Sequence, residues 1–322
     1  MNSLPRMVDA PFLPSAEGRT DDRTRLGYIM VIVAASLFAV NGIVSKVVLS
    51  SGLSSLELTQ IRSTGAAVGF SLFLVLFARA TLRADRRELL FLVVFGIAGI
   101  GLVQLLYFVA IERLPVGIAL LIQFLGPLFV ALFARLVYLE HIRRRIWAAL
   151  VLCTAGLAVV VEFWSGVAFS IVGITAALAA AFALAAYILM AERERKHRDP
   201  VSLSFYGFFF ASIFWAAINP LWTFPWGVLD DTVSLRGNLS EHTAPVWLLV
   251  AFIVVVGTMV TFTLLTGALR HITATRASIV ATLEPVVATV VAWAWLGETF
   301  GAPQLVGGAV VLAGIILAQT AR

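Results

Sequence analysis

Residues 272–298 read ITATRASIVATLEPVVATVVAWAWLGE. The run is apolar and long enough to cross a bilayer. Near its middle a carboxylate and a proline stand side by side, Glu284 and Pro285. The same pattern occurs 158 positions earlier, where Leu114 to Glu140 read LPVGIALLIQFLGPLFVALFARLVYLE. Pro285 falls on Pro127, Glu298 on Glu140, Leu283 on Leu125, and Ala277 and Ala292 on Ala119 and Ala134. The register continues without a gap, so Ala313-Gly314 lands on Ala155-Gly156. One matched proline carries no weight. A proline, a terminal glutamate and an Ala-Gly pair at one offset point to a duplicated unit.

Composition sets the solvent. The chain has 322 residues, 61% hydrophobic and 13% charged, against roughly 25% charged for soluble domains. Repeated apolar runs of about 20 residues leave no soluble core to propose. The expected fold is an all-α polytopic membrane protein, with ten transmembrane helices as two inverted five-helix repeats. The ten spans fall near 27–48, 56–78, 88–111, 115–137, 143–162, 168–190, 201–223, 245–268, 274–297 and 302–320. Residues 1–26 are polar, with no apolar leader, and read as a mobile cytosolic tail. Residues 27–162 form the first repeat and 163–322 the second. The charged stretch after Trp226, with Asp230, Asp231, Arg236 and Glu241, reads as a solvated loop. The single cysteine, Cys153, lies inside an apolar run and allows no intramolecular disulfide.

The net charge of +5 is spread loop by loop, as orientation signals are, rather than gathered into a patch for nucleic acid. With a cytosolic N-terminus, 19 of the 23 Lys and Arg lie on the cytosolic side and two, Arg113 and Arg236, on the other. Lys46 and Arg62 lie within spans, near their outer ends. Both termini are therefore expected inside. A five-span unit has an odd number of crossings, so its second copy runs upside down relative to the first. Exchanging the conformations of two such halves exchanges which side is open, which points to alternating access in a carrier rather than a channel.

Both motifs, IALLIQFLGPLFVALFARLVYLE and ASIVATLEPVVATVVAWAWLGETF, are followed by an Ala-Gly-bearing helix. On these residues the chain resembles the drug/metabolite transporter superfamily, specifically its EamA-type ten-helix exporters. IALLIQFLGPL is also similar to the corresponding helix of bacterial threonine/homoserine exporters. The resemblance covers residues 27–320. It implies a central cavity between two halves, lined largely by spans 1, 3, 4, 6, 8 and 9. It also implies export of small metabolites, amino acids prominent among them, across the bacterial cytoplasmic membrane. The chain departs from a symmetric pattern at Gly126, which stands where the second copy has Glu284.

Polar groups deep in a bilayer are costly unless they face protein or water, so they are the candidate site. Glu284 is the foremost: it titrates and couples protons, attracts a substrate ammonium, or stays protonated against a neighbouring helix. Pro127 and Pro285 are expected helix kinks that deprive the carbonyls of Gln123 and Ala281 of their helical partners. Gln123 adds a side-chain amide. Gln104 and Tyr107 share a face of span 3, and Asn41 and Ser45 share a face of span 1. The substrate-binding set is thus Asn41, Gln104, Tyr107, Gln123 and Glu284. Span 2 places Gln60, Ser63 and Thr64 on one face. Arg62 is read as off that face, snorkelling or pairing with Glu57, and Lys46 is read as snorkelling too. Tyr187, Tyr206 and Trp215 read as interfacial anchors or stacking partners for cargo.

There is no G-x-x-x-x-G-K-[ST], HExxH or CxxC, so neither nucleotide nor metal cofactor is expected. The four histidines fall in loops. An intramembrane enzyme needs clustered acids, bases or ligands at one depth, and only Glu284 is read as deep. The expected activity is secondary export of amino acids or related metabolites by a monomer. The alternative is a polyspecific drug/metabolite exporter with proton coupling at Glu284. The charge distribution predicts that a reporter fused after Arg322, or before Met1, is active only when it is of a kind that works in the cytosol. Activity of a periplasm-dependent reporter at either terminus overturns the orientation.

Overall fold

Inside a bilayer each backbone N–H and C=O must find its partner within the protein, so apolar runs of this length form helices. The structure, a computed structural model, describes residues 16–77, 85–126, 129, 144–161, 170–194, 198–268, 270–272, 277 and 280–320. Helix α1 spans Ala16–Leu49 and α2 Ser55–Phe77. Helix α3, Arg86–Val94, passes through a π-helical segment, Phe95–Gly101, into α4, Leu102–Arg113. Helix α5 is Val116–Gln123, α6 Arg144–Val161, α7 Ile171–Glu194 and α8 Pro200–Ile218. After a β-hairpin, β1 Thr232–Ser234 and β2 Thr243–Pro245, α9 spans Val246–Val254. A second π-helical segment, Val255–Val260, joins α9 to α10, Thr261–Ala268. Helix α11, Leu283–Val291, ends in a third, Ala292–Leu296, and α12 is Ala302–Thr320.

Six of these paths are long and apolar enough to cross a membrane: Thr24–Leu49, Ser55–Phe77, Glu88–Arg113, Ile171–Ala191, Val201–Ile218 and Val246–Ala268. Three more apolar helices are shorter, Trp147–Val160, Leu283–Leu296 and Ala302–Leu317. The protein is an all-α, multi-pass membrane protein. Large apolar side chains such as Val68, Phe77, Val151 and Ile171 stay exposed on its outside, where acyl chains replace water.

Two boundaries differ from the sequence expectation. Helix α1 begins at Ala16, ahead of the expected start at residue 27, and its apolar part at Thr24. Helix α8 stops at Ile218, five residues short of 223, because Pro220 has no N–H to continue it. The stretch after Trp226 keeps Asp230, Asp231 and Glu241 exposed, but it is an ordered cap rather than a free loop. Its strands pair antiparallel, Thr232 opposite Pro245. Asn238 Nδ2 donates to Ala294 O at 3.1 Å and Trp295 Nε1 to Leu235 O at 2.8 Å, pinning the hairpin on the end of α11.

Helix neighbours meet through small residues, as expected where lipid offers no hydrophobic drive to associate. Helix α2 packs on α8 and α6 on α12; α4 packs on α7 and α10 on α1; α5 packs on α7 and α11 on α1; and α5 meets α11. The α6–α12 contact is backbone to backbone. A Cβ added to Gly156 would lie 2.8 Å from Gly307 O, and one added to Gly307 would lie 2.7 Å from Gly156 O. Cys153 Sγ points at Val311 O, 3.6 Å away, and Gly314 faces Ala149 O. Rising numbers in α6 meet falling numbers in α12, so the two helices are antiparallel. The alanine run of α7 packs in the same way: Ala181 O lies against Gly126.

Helix propensity alone would make Gly156→Ala and Gly307→Ala stabilising by about 1 kcal/mol. The close approach reverses the sign: each is expected to destabilise the detergent-solubilised protein by ~1–3 kcal/mol. Gly227→Ala, where an added Cβ meets nothing within 4 Å, is the control. Thermal unfolding of the three variants checks this.

Candidate functional site

The polar residues of the bundle interior come from several helices. Helix α1 carries Asn41, 2% exposed, and Ser45, one turn on and fully buried. Gly257, in the π-helical segment before α10, lets Asn41 in: a Cβ there would sit 2.8 Å from the Asn41 Cβ. Gly42 does the same for Tyr107, whose hydroxyl rests where that glycine lacks a side chain. Gln104 and Tyr107 are both buried on α4, as their spacing requires. Gln104 Nε2 donates back to Ile100 O at 3.3 Å, while its Oε1 has no partner among the described residues. Asn41 Oδ1, Ser45 Oγ and Ser63 Oγ are unpartnered too. Each such buried atom costs on the order of 1–3 kcal/mol of lost hydration.

Arg62 belongs to this interior, contrary to the expectation that it snorkels or pairs with Glu57. It is 5% exposed. It lies on the stripe of α2 that faces protein, Ser55, Leu58, Arg62, Ala66, Phe70 and Leu74, spaced three or four apart. Its Nε donates to Thr258 Oγ1 at 2.8 Å, and its guanidinium carbon stands 5.5 Å from the centre of the Phe108 ring. Glu57 instead caps α2, accepting from Ser54 N at 2.7 Å. The helical stripe was the available signal. Judging depth by distance from the helix end missed it, because a long side chain near an end still faces inward when its azimuth does.

Glu284 is half-buried and packed within the bundle. It interacts electrostatically with Arg62 and with Tyr107. Among the described residues its carboxylate makes no hydrogen bond and no salt bridge. The chain turns at Thr282, and Glu284 occupies the first turn of α11, ahead of buried Pro285. A helix start presents free N–H groups and favours a negative charge. Helix α5 ends at Gln123, with turns at Phe124 and Leu125, and Gln123 Oε1 is unpartnered among the described residues. Pro127 and Glu140 lie outside the described residues.

Lys46 also departs from the expectation of snorkelling. Its Nζ donates to Glu298 Oε1 at 2.6 Å and to Leu114 O at 3.0 Å, with both side chains mostly buried. The pair ties α1 to the end of α11, on the side where the hairpin sits. At the opposite end Arg198 grips Glu88 with two bonds, Nε to Oε1 at 2.6 Å and Nη2 to Oε2 at 2.8 Å. Each end of the bundle thus carries an ion pair between sequence-distant helices.

Other candidates resolve as helix-to-helix bonding. Gln60 and Asn219 exchange amide bonds, Nδ2 of Asn219 reaching Gln60 Oε1 at 2.9 Å, and Thr64 Oγ1 meets Ser212 Oγ at 2.9 Å. The aromatic trio faces protein rather than the interface. Tyr187 stacks on Phe95 with 5.4 Å between centroids, Tyr206 lies under Arg198, and Trp215 is buried against Gly101.

The arrangement is an interior that holds a guanidinium, a carboxyl group and unpartnered acceptors, with an ion pair near each end. The sequence profile of the EamA-like transporter family matches residues 25–162 and 171–320. An uncharacterized transporter of Archaeoglobus fulgidus is 29% identical, over 91% of this chain and 96% of its own. The pseudopaline exporter CntI of Pseudomonas aeruginosa is 28% identical, over 68% and 78%. The threonine/homoserine exporter RhtA of Escherichia coli is 26% identical, over 80% of each chain. A solved crystal structure, 19% identical, shares the fold with a TM-score of 0.58, over 92% of this chain and 96% of that one. The protein is a transporter of small molecules rather than an enzyme, and it belongs to the EamA-like transporter family.

Proposed function

We propose that the protein exports amino acids or related small metabolites across the bacterial cytoplasmic membrane. In this reading it alternates access between two inverted halves, 27–162 and 163–322, with both termini cytosolic, and works as a monomer. The observation that carries the cargo class is Glu284, a carboxylate inside the bundle with no hydrogen-bond or ion-pair partner among the described residues. Unpartnered acceptors also lie within the bundle, on Asn41, Gln104 and Gln123. An ammonium group, with three N–H donors, suits acceptors of this kind. One relative exports threonine and homoserine, which carry such a group.

The packing supports the inverted halves. Exchanging the first five spans for the second five maps the most extensive helix contacts onto one another, α4–α7 onto α10–α1 and α5–α7 onto α11–α1. The Gly156–Gly307 contact, shifted by 158, becomes the Gly314–Ala149 contact, and Cys153 exchanges with its own partner, Val311. A twofold axis across the bundle makes equivalent helices meet antiparallel, so this contact supports the reading of an inverted repeat. The π-helical segments Phe95–Gly101 and Val255–Val260 fall in corresponding spans.

Proteoliposome flux of labelled small, acidic, basic and aromatic amino acids, with and without a pH gradient, tests the function. Glu284→Gln is expected to lower flux about tenfold or more, the scale of one lost charge-assisted hydrogen bond. Gln123→Ala is expected to lower flux of every cargo by similar factors. No flux of any amino acid overturns the cargo class. Loss of the pH-gradient response alone in Glu284→Gln, with exchange intact, places proton coupling rather than cargo at this carboxylate.

A further inference from the structure

We propose that Arg62 receives the carboxylate of the cargo, so that a zwitterion lies across the interior with its carboxylate against α2 and its ammonium toward Glu284. This rests on the amino-acid export reading and adds to it an anchor and a direction.

Arg62 keeps its charge at any physiological pH, and it is buried. Nε is held by Thr258 Oγ1, which in turn donates to Ile253 O at 2.8 Å. The Phe108 ring, itself fully buried, lies 5.5 Å from the guanidinium carbon. Nη1 and Nη2 make no hydrogen bond among the described residues. A guanidinium so oriented presents two parallel N–H donors, the geometry that a carboxylate accepts bidentately.

Glu284 is the charge within electrostatic range that could have closed on Arg62, and it does not form a salt bridge with it. A guanidinium and a carboxyl group left apart in a low-dielectric interior each carry an unrecovered desolvation cost. A ligand bearing both charges recovers both. Among the other unpartnered buried atoms are three carbonyl-type acceptors, Asn41 Oδ1, Gln104 Oε1 and Gln123 Oε1, which suit the ammonium and not the carboxylate; the hydroxyls of Ser45 and Ser63 suit either. Lys46 is engaged by Glu298 and Leu114 O, and Arg113 is an exposed side chain paired with Glu112, so neither competes for the carboxylate. A cation without a carboxylate leaves Arg62 unanswered, and an anion without an ammonium meets Glu284.

The test is equilibrium binding of labelled L-threonine, L-leucine and L-phenylalanine to detergent-purified protein, beside their flux in proteoliposomes. Competitors are threoninol, which lacks the carboxylate, and 2,3-dihydroxybutanoate, which lacks the ammonium. On the wild type, threoninol is expected to compete at least about tenfold more weakly than threonine, the scale of a lost charge-assisted pair. In Arg62→Gln that gap is expected to close, threonine falling to the level of threoninol. A variant and a ligand deletion that remove the same contact do not add. Thr258→Val keeps the charge and frees Nε, and is expected to narrow the gap partway. Equal competition by threonine and threoninol on the wild type overturns the proposal, as does an undiminished gap in Arg62→Gln. Either result, with flux of amino acids intact, leaves the export reading standing. Tight binding of 2,3-dihydroxybutanoate, without flux of any amino acid, overturns the amino-acid reading and keeps Arg62 as an anion site. A wild type that binds and moves none of these compounds overturns both.

Discussion

Hydrocarbon cannot solvate a peptide group or a charge, and this one constraint orders the molecule. It makes every long apolar run a helix, because a helix alone satisfies its own backbone. It also turns polar side chains inward, where they meet one another or a cavity. Gln60 with Asn219 and Thr64 with Ser212 are the cases in which two helices satisfy each other. Lys46 with Glu298 and Glu88 with Arg198 do so with full charges, near the ends of the bundle where water is close. Arg62 and Glu284 are the exception, deep and unjoined. Ion pairs are thus complete near both ends of the bundle, while Arg62 and Glu284 stay apart between them.

The same constraint explains how the helices hold together. Lipid is as apolar as leucine, so association comes from close backbone approach rather than from burial of oily faces. Gly156, Gly307 and Gly314 remove the side chains that would keep α6 and α12 apart. Gly257 and Gly42 remove the ones that would exclude Asn41 and Tyr107 from the interior. Glycine here supplies room for a neighbour, not a special backbone angle.

The π-helical segments link packing to function. A π turn widens the helix and leaves a side chain aimed off the regular face, and such turns concentrate at functional sites. Thr258 lies in one of them, and its hydroxyl bonds five residues back to Ile253 O while accepting from Arg62. Ile100, in the corresponding segment, offers its carbonyl to Gln104. Irregular backbone ahead of α4 and of α10 therefore holds Gln104 and Arg62 in the polar interior.

Much of this was legible in the sequence. Apolar run length settled the membrane class, and the paired Pro-bearing motifs carried the resemblance to a transporter family. Spacing along a helix placed Gln104 beside Tyr107 and Asn41 beside Ser45, since local geometry alone decides which residues share a face. Residue chemistry singled out Glu284, because a carboxylate at that depth has to be answered by something. The sequence did not reveal what answers it. Arg62 and Lys46 were read as snorkelling because sequence position measures distance along one helix, whereas burial depends on what packs against the helix from elsewhere in the chain. Arg62 is enclosed by Phe108 and Thr258, the latter 196 residues away, and Lys46 meets Glu298, 252 residues away. Only the tertiary structure brings such partners together, because the free energy of a buried charge is set by its neighbours in space and not by its neighbours in the chain.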